Sequence, residues 1–175
     1  MPDWKQVSED VFYGNGGVVL GDGEAIRFLK QRAGESARRR ARLCCHAGPD
    51  ALLHDMLIVM QGGAYIRPHK HLKKSESFLV IEGTGHLCIF EDDGTPRSFH
   101  DFQAPAAGGK FFYHMPANIY HTQLITSDWL VYHESASGPF IPEESVQAPW
   151  APAENDAAAD GYLQQLLQAA TASNA

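Results

Sequence analysis

Short apolar runs separated by turn-forming residues dominate the middle of the chain. Between residues 52 and 134 these runs are interrupted at Gly62-Gly63, at Gly83-Thr84-Gly85 and at Asp93-Gly94. Many short strands with glycine, proline and aspartate turns are typical of a β-barrel or a jelly roll. The pattern therefore predicts an all-β domain.

Two segments follow helical periodicity instead. Apolar residues recur at helical spacing from Ala25 to Ala33, after Asp22, which is a suitable N-cap. This predicts an amphipathic helix over roughly residues 23–34 that covers one side of the strands. Helical spacing returns from Tyr162 onward and predicts a short C-terminal helix.

The chain is long enough for one domain with appendages, at 175 residues. We divide it into an N-terminal strand and helix extension over residues 1–37, a barrel over 38–140, and a tail over 141–175. The tail begins where prolines, acids and alanines become frequent, which predicts a surface linker before the last helix.

The stretch from Gly63 to Gly83 carries the clearest chemistry. His69 and His71 are two residues apart, so on a strand their imidazoles lie on the same face. Glu76 follows a short polar turn and opens the next apolar run. Two imidazoles and a carboxylate from adjacent strands suit a divalent transition metal.

This spacing is far from a chance pattern. With 9 histidines and 16 glycines in the chain, a His-x-His pair alone would arise about 0.5 times. Both flanking glycines at fixed offsets lower that expectation to about 0.004, before Glu76 is counted. The whole pattern is therefore specific, although its first part is weak.

The pattern G-x5-HxH-x4-E-x6-G resembles the first sequence motif of the cupin superfamily. A second cupin motif resembles the stretch from Pro116 to His121, with Asn118 in place of a glycine; asparagine tolerates left-handed turns. Two further motif positions depart, since Lys110 and Ile125 replace the usual glycine and asparagine. The resemblance implies a single-domain cupin β-barrel, or double-stranded β-helix, and four metal ligands: His69, His71, Glu76 and His121.

A finer resemblance covers about residues 38–140. The stretch RPHKH, the later PxxxxHT and the closing ExxxGP are similar to those of small WbuC-type cupins. That group is linked to O-antigen and other surface-polysaccharide gene sets. The resemblance implies a sugar or sugar-nucleotide ligand.

The predicted ligands suit one divalent ion, and Fe, Mn, Ni, Co and Zn fit almost equally. About two open coordination positions would remain for water, oxygen or substrate. Three functions follow: a metal-dependent enzyme such as an isomerase or epimerase acting on a small polar molecule, an iron-dependent dioxygenase, or a non-catalytic metal- or sugar-binding module. Whether the protein is an enzyme stays open from the sequence.

Five further residues are candidates for the substrate pocket. Two lie within the first motif on the parity of its histidines, one shares the parity of His121, and two lie near these strands: Tyr65, Arg67, Gln123, Tyr120 and His133. An arginine could hold a carboxylate or phosphate. No general base stands out at a motif position unless His133 or Glu134 faces inward.

A second polar cluster contains Arg38, Arg39, Arg40 and Arg42. Runs of charge usually lie on a solvent face, so we expect a solvated edge paired with the acids of the chain. If alternate arginines of this strand face inward, the cluster would instead bind an anion such as a phosphate.

Composition limits the partners. A formal net charge of −7 argues against nucleic acid and anionic membranes. No apolar run approaches the ~18 residues of a membrane span, and the N-terminus lacks a signal-peptide pattern. Three cysteines, two of them adjacent, suit a reducing cytoplasm. We expect a small-molecule ligand, and a homodimer because cupin-like sheets pair through exposed edges.

Overall fold

The computed structural model describes residues 4–173 and places two α-helices and twelve strands in them, besides two single-turn 3₁₀ helices at Pro105–Ala107 and Pro142–Glu144. The α-helices are α1 (Gly23–Glu35) and α2 (Ala159–Ser173). The strands are β1 (Trp4–Gln6), β2 (Val11–Gly14), β3 (Arg40–Cys44), β4 (Leu53–Gln61), β5 (His69–His71), β6 (Glu76–Glu82), β7 (Thr84–Phe90), β8 (Pro96–Gln103), β9 (Phe112–Met115), β10 (Tyr120–Ile125), β11 (Trp129–Ser137) and β12 (Ser145–Gln147).

The strands form two sheets that face each other. The seven-stranded sheet has the order β1-β2-β3-β4-β11-β6-β9, and the five-stranded sheet has the order β12-β5-β10-β7-β8. Neighbouring strands are antiparallel except β2 and β3, which run parallel. The sheets stay separate, so this is the jelly roll that the cupin resemblance implies rather than a continuously bonded barrel. The all-β prediction is confirmed.

Alternation along the strands builds the core between the sheets. Met56, Ile58 and Met60 of β4 form one buried cluster with Phe78 of the same sheet and with Leu87 and Phe102 of the five-stranded sheet. Successive side chains of a strand point to opposite faces, so the odd-numbered residues of β4 face outward. Each such buried side chain contributes about 1.5–3 kcal/mol of transfer free energy.

Helix α1 covers the outer face of the seven-stranded sheet, as predicted. The Asp22 carboxylate accepts hydrogen bonds from the backbone N–H groups of Glu24 and Ala25, both at 2.9 Å. Leu29 and Ala33 are completely buried in the apolar cluster on this face. The cap satisfies two N–H groups that the first turn leaves free.

The segment after β11 is more integrated than a surface linker. Strand β12 pairs antiparallel with β5, and Ala148 and Ala151 are buried. Helix α2 then packs Leu163 and Leu166 on the outer face of the five-stranded sheet. The short helix is stable there because it buries one apolar face. Between residues 4 and 173, no helix is both long and apolar enough to span a membrane.

Candidate metal centre

The structure brings the four predicted ligands together between the sheets. His69 lies opposite His121 where β5 pairs with β10, and Glu76 begins β6 after the polar turn that follows His71. The ring centroid of His69 lies 5.1 Å from that of His71 and 4.8 Å from that of His121. Strand pairing thus turns two separate sequence motifs into one cluster.

The Nδ1 atom of each of these imidazoles already has a hydrogen-bond partner. His69 Nδ1 lies 3.0 Å from the Arg67 carbonyl oxygen, and His121 Nδ1 lies 2.9 Å from that of Ile119. Because a carbonyl oxygen only accepts, Nδ1 must be the donor in both rings. A neutral ring then carries its lone pair on Nε2. Fixing the tautomer through Nδ1 is the usual way that proteins orient a histidine ligand.

Glu76 is the carboxylate of the cluster and is 4% exposed. Its Oε1 lies 2.9 Å from His71 Nε2 and 3.0 Å from Lys74 Nζ, and its Oε2 lies 3.5 Å from His121 Nε2. Burial acts to raise the pKa of Glu76, but hydrogen bonds with His121 and His71 and the charge of Lys74 outweigh it and hold that pKa well below its usual range. Glu76 is therefore ionised.

The donor set fits a divalent cation by its chemistry. Burial, and next the neighbouring His121, lowers the pKa of His69 to about 3, so this ring stays neutral and can bind a metal. Since Nδ1 of His121 is bonded to the Ile119 carbonyl, the contact of its Nε2 with Glu76 needs a positive charge between the two atoms. A proton on Nε2 supplies that charge, and a metal ion could replace it.

The four side chains contact one another rather than surround a point. Within residues 4–173, no three His, Cys, Asp or Glu side chains are already arranged as a coordination sphere. The direct contacts of Glu76 with two imidazoles account for this, because they occupy the oxygens that would face an ion. To bind a metal ion, Glu76 would have to replace these contacts with a bond to the ion.

A cavity of about 410 Å³ opens beside the cluster. All four predicted ligands line it, and so do two of the predicted pocket residues, Arg67 and Gln123. This volume lies in the ordinary range for small-molecule sites. The cluster therefore lies at the wall of a space that a small ligand could enter.

The placement of Tyr65 and Tyr120 in the pocket has to be corrected. Residues 64–68 are not a strand, so the parity argument does not extend back to Tyr65, whose hydroxyl donates to the Pro152 carbonyl at 3.0 Å. Tyr120 is the neighbour of His121 on β10, and alternation turns it outward onto Trp150. Both tyrosines pack under the C-terminal segment.

Strand alternation also corrects the placement of His133 in the pocket. His133 lies on the outer face of β11, where its Nε2 is 3.3 Å from an Asp55 carboxylate oxygen. Glu134, the next residue, lines the cavity. Burial, and next the charge of Glu76, raises the pKa of Glu134 to about 8. A carboxyl that is protonated at neutral pH thus faces the site.

Arg67 and Gln123 line the cavity, but some of their hydrogen-bond donors already have partners within the protein. The guanidinium of Arg67 donates to the Ala148 carbonyl from Nε at 3.1 Å and from Nη2 at 2.6 Å. Gln123 donates from Nε2 to the Tyr113 hydroxyl. Arg67 therefore fastens the segment after β12 to the cavity wall.

The expectation of a wholly solvated arginine edge also needs correction. Arg40 and Arg42 lie on the inner face of β3 and line the cavity. Arg38 and Arg40 both form ion pairs with Glu154, at 3.1 and 3.0 Å. Alternation of β3 explains this, because Ala41 and Leu43 turn outward to helix α1.

Sequence reasoning missed Ser145. This residue of β12 lies 3.0 Å, at Oγ, from His71 Nδ1. Its segment gives no strand pattern, since only three residues pair and they follow a proline-rich stretch. The register of β12 against β5, with Ser145 opposite His71, has no signal in the local sequence.

Comparison with known proteins gives a fold but no function. The family model "Domain of unknown function (DUF6016)" matches residues 22–101, which is less than half of the chain. No curated protein matches the sequence.

Several solved structures are similar to parts of this chain. The capsular polysaccharide assembling protein CapF from Staphylococcus aureus has a TM-score of 0.51 and 16% identity, over 64% of this chain and 30% of CapF. An oxalate oxidase in complex with glycolate has a TM-score of 0.47 and 14% identity, over 60% of this chain and 54% of the oxidase. The oxalate decarboxylase OxdC of Bacillus subtilis has a TM-score of 0.43 and 23% identity, over 55% of this chain and 24% of the decarboxylase.

This chain thus spans from about a quarter to about half the length of these structures. All three are cupin proteins. At identities this low the likeness concerns the fold alone, and CapF carries it with its TM-score of 0.51. Together with the two facing antiparallel sheets, it shows that this chain has a cupin fold.

Proposed function

We propose that this protein is a metal-binding cupin that acts as a metal-dependent enzyme on a small polar substrate. One observation carries the proposal: the backbone carbonyls of Arg67 and Ile119 hold the rings of His69 and His121 by Nδ1, which leaves their Nε2 atoms to bind a cation in the same cluster as the ionised Glu76. Imidazole nitrogens and a carboxylate grouped in this way favour a divalent ion.

His69, His71, Glu76 and His121 would hold the ion. When bound, a divalent iron, manganese, nickel, cobalt or zinc ion supplies Lewis-acid polarisation of a substrate carbonyl or hydroxyl. The rings are held by their Nδ1 hydrogen bonds, so they need little reorganisation to bind. Glu76 would have to turn from its contact with His71, and Lys74 would stay to balance its charge.

Glu134 is the residue best placed to move a proton. Its side chain lines the cavity and forms no hydrogen bond or ion pair with any residue between 4 and 173. A carboxyl with a pKa of about 8 can donate or accept a proton near neutral pH. Isomerisation and epimerisation both need such a group beside a polarised carbonyl.

A sugar or sugar nucleotide of surface-polysaccharide metabolism is the substrate class that we propose. Residues 38–140 resemble WbuC-type cupins, and the fold is shared with CapF, which is described as a capsular polysaccharide assembling protein. The cavity of about 410 Å³ is large enough for a single sugar ring.

Elemental analysis of untagged protein, purified without chelator or nickel resin, tests the proposal. We expect about one transition-metal ion per chain in the wild type and less than about a tenth of that in His71→Ala. His100→Ala is the matched control, because His100 lies exposed on β8 and bonds only to Ser98. Circular dichroism checks that each variant is folded.

The outcomes separate the three functions. No metal, even after reconstitution under reducing conditions, contradicts the proposal, and so does stoichiometric metal in His71→Ala. Iron together with substrate-dependent oxygen uptake would favour the dioxygenase. Sugar binding to the metal-loaded protein without turnover would favour a binding module.

A further inference from the structure

We propose that Arg42 binds the carboxylate of the substrate, so that the cavity takes a sugar acid rather than a neutral or phosphorylated sugar. This inference rests on the proposed function and names its substrate class. It starts from a residue outside both cupin motifs.

Arg42 lies on the wall of the cavity that holds the histidines. It occupies the inner face of β3, between Arg40 and Cys44, and lies opposite Ile58 of β4. Cys44 and Ile58 belong to the buried core between the sheets. The backbone register thus directs the Arg42 side chain toward the interior, while the residue as a whole remains exposed at the cavity mouth.

Among the described residues, Arg42 differs from the other cations of the cavity because its guanidinium forms no hydrogen bond or ion pair, although its charge acts on the Glu134 carboxyl. Arg38 and Arg40 pair with Glu154, Arg67 donates to a backbone carbonyl, and Lys74 pairs with Glu76. No hydrogen bond or ion pair of the Arg42 side chain joins it to any residue between 4 and 173. Its donors are free for a planar oxyanion, which a guanidinium binds through two parallel hydrogen bonds.

The charge of the cavity lining also favours an anion. The lining contains five cationic side chains and four carboxyl groups, in a chain whose formal net charge is −7. The cationic residues are thus concentrated at this cavity in an otherwise acidic protein. Such a local field attracts an anionic ligand.

A carboxylate fits this environment better than a phosphate. Arg42 is the cation of the described lining whose N–H donors have no hydrogen-bond or ion-pair partner. A carboxylate presents two coplanar oxygens that match two parallel N–H groups of one guanidinium. The single free guanidinium therefore matches one carboxylate.

A second free group suits the hydroxyls of a sugar. Gln123 lines the cavity and is 5% exposed, and its Oε1 has no hydrogen-bond partner among residues 4–173. A buried amide oxygen without a donor costs free energy that a ligand hydroxyl would recover. Arg42 and Gln123 thus offer a carboxylate site and a hydroxyl site in one cavity.

Calorimetric titration of the metal-loaded protein with D-glucuronate and with D-glucuronamide tests this inference. The two probes share one shape and differ in the charge of a single group. We expect the wild type to bind D-glucuronate about tenfold or more tightly than the amide, the effect of one charge-assisted hydrogen bond. Arg42→Gln should lose that preference, and Arg42→Lys should keep part of it.

Arg27→Gln is the matched control, because Arg27 is an exposed residue of helix α1 that pairs only with Glu24. It removes the same charge from the protein and should keep the full preference. The inference is overturned if wild type does not bind D-glucuronate, if it does not distinguish the two probes, or if Arg42→Gln distinguishes them as wild type does. Tighter, Arg42-dependent binding of glucose 6-phosphate than of D-glucuronate would overturn the carboxylate assignment.

Repeating the titration on chelator-treated protein separates this inference from the proposed function. A charge preference that depends on Arg42 but not on metal would support the carboxylate site even if elemental analysis found no metal. Stoichiometric metal together with no charge preference would support the metal site and contradict the carboxylate site.

Discussion

His71 and Ser145 form a hydrogen bond of 3.0 Å between Nδ1 and Oγ, although 74 residues separate them in sequence. The bond joins β5, from the first cupin-like motif, to β12, from the C-terminal segment. It fixes the rotation of His71, whose Nδ1, unlike those of the predicted ligands His69 and His121, is not bonded to a backbone carbonyl. The C-terminal segment therefore helps to orient a predicted metal ligand.

Ser145→Ala should weaken metal binding about tenfold, because loss of a hydrogen bond behind a ligating imidazole typically costs 10- to 100-fold in affinity. Competition with a chromophoric chelator measures the change. Ser98→Ala is the control, since it removes a similar hydroxyl from His100 on the exposed strand β8. Equal affinities for both variants and wild type would show that the bond does not orient a ligand.

The raised pKa of Glu134 predicts a pH-dependent stability of metal-free protein. Its carboxyl is protonated up to about pH 8 in the folded chain, but only up to about pH 4.3 in the unfolded chain. The folded state thus binds more protons between these values, and the free energy of unfolding should fall as pH rises through this window.

Urea unfolding of chelator-treated protein at pH 5.5 and 7.5 checks this expectation. The wild type should lose roughly 1–2 kcal/mol more stability over this interval than Glu134→Gln, a value reduced for water in the cavity. Glu143→Gln, a change at an exposed carboxyl, should keep the wild-type slope. Parallel slopes for wild type and Glu134→Gln would show that Glu134 is already ionised at low pH.

Gly83→Ala should destabilise the fold by about 2–4 kcal/mol, because it adds a steric clash to a left-handed backbone. Gly83 has a φ of +95°, and a Cβ there would collide with the Trp129 carbonyl oxygen. Gly16→Ala is the control: its φ is +81°, but a Cβ would meet no atom within 4 Å. Thermal unfolding measures both. Equal losses would mean that the clash is relieved by a small backbone shift.

The strand pattern and helix positions follow largely from local sequence. Asp22 and the apolar spacing after it place helix α1 within about a residue of its observed ends, Gly23–Glu35. Such local signals depend on backbone chemistry near one position. The strand β12 has no such signal, because it is stabilised by its partner β5 rather than by its own residues.

The site was predictable where residues alternate on a regular strand and not elsewhere. His69, His71, Glu76 and His121 all line one cavity. Tyr65 does not, because the chain before His69 is irregular. The inward position of Arg42 depends on which face of β3 helix α1 covers, and that is a tertiary property.

The hydrogen bond between His71 and Ser145 also bears on synthesis of the chain. Translation delivers all four predicted ligands before Ser145 and Glu154, whose contacts complete the cavity wall. A nascent chain that ends near residue 140 would present the histidines without their C-terminal cover. The residues that complete the site are therefore synthesised last. A chain truncated near residue 140 would leave the predicted ligands without this cover and more open to binding other ions.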